Sequence, residues 1–174
     1  MSEFDVMLAR WMAQELQIDY NNPARWTDRL LLHKTLHYAH CIFFHSSKSS
    51  LFEQAIETKE EDGPFWDEIH KALKQEGSVD DDFHLYSFVP VLKIIASICK
   101  KHGPEKLRDE THQSAVIENK KVHDVIQSEE LDFPCSSFEH DLLAEVTSLE
   151  KKEKGGGFIL AESDWNFEIT QVVS

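Results

Sequence analysis

The chain has 174 residues, 41% of them hydrophobic and 29% charged, and a formal net charge of −14. A chain of this size supports one domain with a sizeable core, or one domain plus an appendage. The charge argues against nucleic acid as a partner, because binding phosphate backbones requires clustered Lys and Arg.

The negative charge is uneven. Residues 1–77 carry −5, residues 78–126 carry −1 and residues 127–174 carry −8. That balance suits a basic protein as partner, or serves only to keep the protein soluble. Three cysteines (Cys41, Cys99, Cys135) are widely spaced and form no CxxC pair, so they read as small buried apolar residues in a reducing compartment. Met1 to Tyr20 mixes charges throughout, unlike a secretory leader, and the expected location is the cytoplasm.

In chain order, Phe4, Leu8, Trp11, Met12 and Leu16 recur at helical spacing and predict a helix over 3–17. Asn21-Asn22-Pro23 breaks it. Thr27 is the expected N-cap of the next helix, which contains the densest apolar run of the chain, Leu30 to Phe44. That run lacks Gly and Pro, is too long for an ordinary strand and too short and polar to span a bilayer. Its apolar residues cover nearly every face, which predicts a central helix packed on several sides. Leu51 to Ile56 reads as a short strand or an irregular segment.

Pro64 has the fixed φ of a first helical turn and predicts a helix over 64–75, with Phe65, Ile69, Ala72 and Leu73 inward and Gly77 as its left-handed cap. Asp80-Asp81-Asp82 suits the start of a further helix. Phe88 to Lys101 predicts a strong apolar helix, 105–112 a short one and 115–126 another. Leu131 to Cys135 reads as extended, because Pro134 biases the residue before it away from the helical region. Ser137 is the expected cap of a helix over 138–149. Glu150 to Gly157 is linker-like, and Phe158 to Val173 alternates in the manner of β structure. The expected organisation is a mainly α fold: a helical domain over 1–126 and an acidic C-terminal helix with a β-like extension over 127–174.

The residues carry little catalytic patterning. His33, His37 and His40 stand at i, i+4 and i+7 on one helix face, a spacing at which imidazoles can share a zinc ion. Lys34 occupies the place where an HExxH site needs its glutamate, and no fourth ligand is evident, so no metal is assigned. No glycine-rich phosphate loop and no GxSxG elbow is present. Cys41 near His37 or His40 imitates a nucleophile pair, but Ile42, Phe43 and Phe44 surround it with apolar bulk that disfavours a thiolate. The reading is therefore not an enzyme, with no catalytic residue and no cofactor.

Three segments, in order, resemble the Panacea domain of SocA-like antitoxins. Leu32-His33-Lys34-Thr35-Leu36-His37-Tyr38-Ala39 is similar to the family's LxKLLYFA helix. Leu51 to Glu57 leading to Gly63-Pro64 is similar to its PLF…GPV segment. Leu107-Arg108-Asp109-Glu110-Thr111-His112 is similar to its LSxLTH motif. His37 stands where the family carries Leu, and Phe65 where it carries Val. The resemblance implies a helical antitoxin that neutralises a cognate toxin protein by direct contact, with Lys34, Tyr38, Gly63, Pro64, Thr111 and His112 as motif residues. It also leaves a proteolysis adaptor as an alternative, with a protease or a second copy as further partners; a His-dependent metalloenzyme is the third reading. In the C-terminal extension, Phe158, Leu160, Trp165 and Phe167 are expected either to anchor the partner or to pack back on the helical core.

Overall fold

The computed structural model describes residues 1–20, 25–75 and 77–152. In chain order the elements are α1 (Glu3–Glu15), α2 (Trp26–Ser47), the short strands β1 (Thr58–Glu60) and β2 (Gly63–Phe65), and α3 (Asp67–Leu73). A 3-10 turn (Asp81–Leu85) leads to α4 (Val89–His102), α5 (Pro104–Thr111) and α6 (Ala115–Asn119). A second 3-10 turn (Ser128–Glu130) precedes α7 (Ser137–Lys152). The fold is mainly helical, as the periodicities predict. Among the described residues no helix is long and apolar enough to cross a membrane.

Helix α2 is the axis. Its 14 consecutive residues from Leu30 to Phe43 are all buried, and α1, α4, α5 and β2 pack around it. Leu32, Leu36 and Ile42 join Leu8 and Met12 of α1, Leu92 and Ile95 of α4 and Leu107 of α5 in one core. Each such side chain contributes roughly 1.5–3 kcal/mol through burial. Phe138, Leu142 and Val146 of α7 pack into the same core. The helix starts at Trp26 without a side-chain cap, so Thr27 lies inside it and does not cap it. It ends at Lys48, whose left-handed backbone (φ 58°) returns its N–H to the Phe44 carbonyl.

The segment after α2 is irregular and is held by one buried carboxylate. Asp5 of α1 accepts the backbone N–H groups of Glu53 (2.8 Å), Gln54 (3.0 Å) and Ala55 (2.8 Å). Three donors on one carboxylate satisfy a backbone turn that secondary structure leaves unpaired. β1 then pairs antiparallel with β2, with Lys59 opposite Pro64 and Glu60 opposite Gly63.

Several expectations need correction here. Pro64 does not open a helix: it lies in β2, and α3 begins at Asp67 because Trp66 is still extended. α3 ends at Leu73 with Lys74 as its cap, so Gly77 is not that cap. Of the four residues expected inward, Ile69 and Leu73 are buried while Phe65 and Ala72 are only half-buried. The helix expected over 115–126 stops at Asn119, because residues 123–126 are drawn along β1: Lys59 N–H donates to the Asp124 carbonyl (2.8 Å) and Ile126 N–H to that of Glu57 (2.9 Å). The open edge of β1 supplies partners for these backbone groups in place of a last helical turn. The N-cap of α7 is supplied by Ser136, not Ser137. Ser136 Oγ accepts from Glu139 N–H (3.2 Å), and the Glu139 carboxylate accepts from Cys135 and Ser136, a reciprocal capping box. Cys135 is exposed, unlike Cys41 and Cys99. The linker expected over 150–157 starts inside α7, which runs on to Lys152, and its remainder and the β-like extension lie outside the described residues, as do Phe158, Leu160, Trp165 and Phe167.

Candidate functional site

Four motif residues, from three distant segments, meet at one point. Gly63 has a φ of +92°, a conformation that disfavours any side chain, and a Cβ there would lie 2.9 Å from Thr111 Oγ1 and 3.0 Å from Lys34 Nζ. The absent side chain is what lets β2 reach α2 and α5. Lys34 Nζ donates to the Pro64 carbonyl (3.0 Å), and Thr111 Oγ1 donates back to the Arg108 carbonyl (2.7 Å). One turn along α2, Tyr38 OH donates to the Leu107 carbonyl of α5 (3.4 Å). His112 lies outside this cluster, half-exposed and paired with Glu118.

Lys34 is only 1% exposed. Burial pushes its amine down to about 7, against the opposing pull of the Glu57 and Asp62 carboxylates. Near neutral pH it is thus divided between ammonium and amine.

Lys34, Gly63 and Pro64 form the floor of a cleft of about 770 Å3 between the first turns of α2, the β1–β2 hairpin and α3. On its rim, Trp26 is 39% exposed and Val122 is 44% exposed. Glu61, Asp62 and Asp67 add negative charge, and Arg29 adds positive charge. One wall carries a hydrogen-bonded chain. Trp66 N–H donates to His33 Nδ1 (3.4 Å), His33 Nε2 meets Tyr20 OH (2.9 Å), and Tyr20 OH meets His70 Nδ1 (2.6 Å). The His33 ring also stacks on Phe65, with centroids 3.9 Å apart. Burial lowers the pKa of both histidines, with help from Lys34 at His33 and from Lys74 and Arg29 at His70.

The other two histidines of α2 turn inward and find different partners. His37 Nδ1 bonds Glu57 Oε1 (2.8 Å), with both side chains buried, and His37 Nε2 lies 3.5 Å from Cys41 Sγ. His40 Nε2 bonds Ser128 Oγ (2.7 Å). Their shared helix face does not bring His33, His37 and His40 together, because each ring is claimed by a separate distant residue. Among the described residues no group of three or more His, Cys, Asp or Glu is placed to hold a metal ion. Cys41, His37 and Glu57 do follow the order of nucleophile, base and orienting carboxylate. Burial, however, pushes the Cys41 thiol well above its ordinary value and keeps it protonated.

Sequence reasoning singled out His33, but not Tyr20, His70 or Glu57. His70 follows Trp66 by one helical turn, yet its link to Tyr20 spans 50 residues, and no local spacing announces it. Comparison with family models, curated proteins and solved structures finds no match to this chain.

Proposed function

We propose that this chain is a protein-binding domain that neutralises a cognate toxin by direct contact, with the cleft beside Lys34 as its contact surface. The observation that carries the reading is the cleft itself. It combines a half-exposed Trp26, an exposed Val122 and an acidic rim, the mixture of apolar anchor and charge that protein interfaces use. The groups best suited to chemistry, Cys41, His37 and Glu57, are instead sealed in the core. The resemblance to Panacea antitoxins supports the same reading, since three of the positions it rests on, Lys34, Gly63 and Pro64, build the floor of the cleft, and Thr111 packs against Gly63 behind it.

Co-expression with the product of the adjacent open reading frame tests it. Growth is expected to recover and the two proteins to co-purify; no recovery and no complex would overturn the reading. Removal of residues 153–174 asks whether the extension bearing Phe158, Leu160, Trp165 and Phe167 shares the contact. If the cleft is the main surface, the truncated chain keeps most of its neutralising activity.

A further inference from the structure

We propose that the cleft seats an extended, positively charged peptide segment of the partner, and that His70 fixes that segment by donating from Nε2 to one of its backbone carbonyls. This deepens the reading above and rests on it.

The argument follows protons along the wall. Trp66 N–H points at His33 Nδ1, so that nitrogen offers its lone pair, and the neutral ring carries its proton on Nε2. His33 Nε2–H therefore donates to the Tyr20 oxygen. Burial keeps the Tyr20 phenol protonated, and its single O–H is left to donate to His70 Nδ1. His70 Nδ1 is thereby an acceptor, and the proton of that ring sits on Nε2. Among the described residues Nε2 has no hydrogen-bond partner, and His70 lines the cleft. The chain runs one way only, from the Trp66 backbone to the cleft, and presents a neutral donor there.

A donor selects an acceptor, and the rim selects which kind. Glu61 is exposed and has no ion-pair partner among the described residues, and Asp62 reaches only Arg108 at 3.8 Å. These carboxylates repel an anionic acceptor and attract Lys or Arg. A peptide carbonyl is a neutral acceptor that every residue carries. The half-exposed ring of Trp26 adds an aromatic face on which a cationic side chain can lie. The volume of about 770 Å3 falls within the roughly 300–1,000 Å3 typical of ligand pockets, which suits a short segment and not a broad flat patch.

Acid then weakens the complex. The groups facing His70 are Asp67, Lys71 and Lys74 of its own helix, Arg29 and His33 of α2, and Tyr20. Protonation puts a hydrogen on Nδ1 against the Tyr20 hydroxyl. Tyr20 cannot turn its proton to His33, whose Nε2 already carries one. The Tyr20 O–H loses its acceptor, and a cation faces a cationic occupant.

Two measurements on the full chain decide the matter. Nitrogen-15 NMR of the free protein at pH 7.5 is expected to show both His33 and His70 as neutral rings protonated on Nε2. In Tyr20→Phe, which removes the donor to Nδ1, His70 is expected to protonate at higher pH. A proton on Nδ1 of His70 would overturn the proposal. Titration with a labelled Gly-Lys-Ala-Arg-Gly-Lys peptide is expected to shift the signals of Trp26 and His70, while its Glu-substituted twin leaves them unmoved. His70→Phe is expected to weaken binding about 3- to 10-fold, the worth of one neutral hydrogen bond. A drop to pH 5.5 is expected to weaken binding more in the wild type than in His70→Phe, where Lys34 of the cleft floor still gains charge; an equal loss in both would overturn the role of His70. Failure of the basic peptide at millimolar concentration, or preference for the acidic twin, would overturn the proposal.

The outcomes separate from those of the antitoxin reading. A neutralised partner whose binding ignores both His70→Phe and Glu61→Lys sinks the peptide contact alone. Peptide binding by a chain that rescues no growth sinks the antitoxin reading alone.

Discussion

Successive turns of one face of the same helix give histidine opposite roles. At the first turns of α2, His33 passes its hydrogen bond through Tyr20 to His70, whose Nε2 has no partner among the described residues and lines an open cleft. One and two turns further on, His37 and His40 bond Glu57 and Ser128 inside the fold. The rings stand only four and seven residues from His33. What separates their roles is the distant chain delivered to each: a tyrosine before α2 on one side, a carboxylate after it on the other. The His33 chain reaches the cleft proposed for recognition, while His37 and His40 bind distant parts of the fold together.

Substitutions should widen that contrast. The largest loss of stability is expected for Glu57→Ala, which strands His37 in the core. Removing one partner of a buried pair costs about 3–5 kcal/mol, readable from urea unfolding, and Glu57→Gln should recover part of it. Next comes the pH response of Lys34. Its folded-state value of about 7 lies below the ordinary 10.5, so between those values the unfolded chain binds more protons. Stability therefore rises with pH across that window and is lost as pH falls through 7. Measured as wild type minus Lys34→Met from about pH 7 to about 9.5, the gain is expected to be on the order of 3 kcal/mol; a flat difference would refute it.

Gly63→Ala is expected to cost about 2 kcal/mol, through its positive φ and the contacts with Thr111 and Lys34, and to lower the melting temperature accordingly. Ser136→Ala removes one cap bond of α7 and is expected to cost about 1 kcal/mol by the same assay. His70→Phe, at the cleft end of the chain from His33, belongs at the bottom of the stability scale while changing peptide binding. A large unfolding shift there would erase the distinction between the two sets of histidines.

Much of the scaffold was legible from residue order alone. The central helix announced itself through an apolar run unbroken by Gly or Pro, and α4 through its apolar stripe with Pro90 in the first turn. The cluster of Lys34, Gly63, Pro64 and Thr111 was legible through resemblance, not through periodicity. Pro64 misled because a proline after glycine serves a helix start and a strand without an N–H donor equally well. Residues 115–126 misled because Val116, Ile117, Val122 and Ile126 suit a helix until a free strand edge competes for the backbone. Ser136 and Glu139 held the spacing of a capping box, a signal present in the chain and assigned one residue late. Tyr20, Glu57 and His70 were silent because their meaning lies in pairings across 13 to 50 residues.

Asp5 extends the inner network toward the beginning of the chain. Its carboxylate ties residues 53–55 to the first turn of α1, and two residues further on stands Glu57, which holds His37. The N-terminal helix thus acts as a tether for a site 50 residues away. A tag fused at Met1, itself 43% exposed, leaves that tether intact, whereas trimming the first five residues would release the 53–57 segment and with it the hold on the central helix.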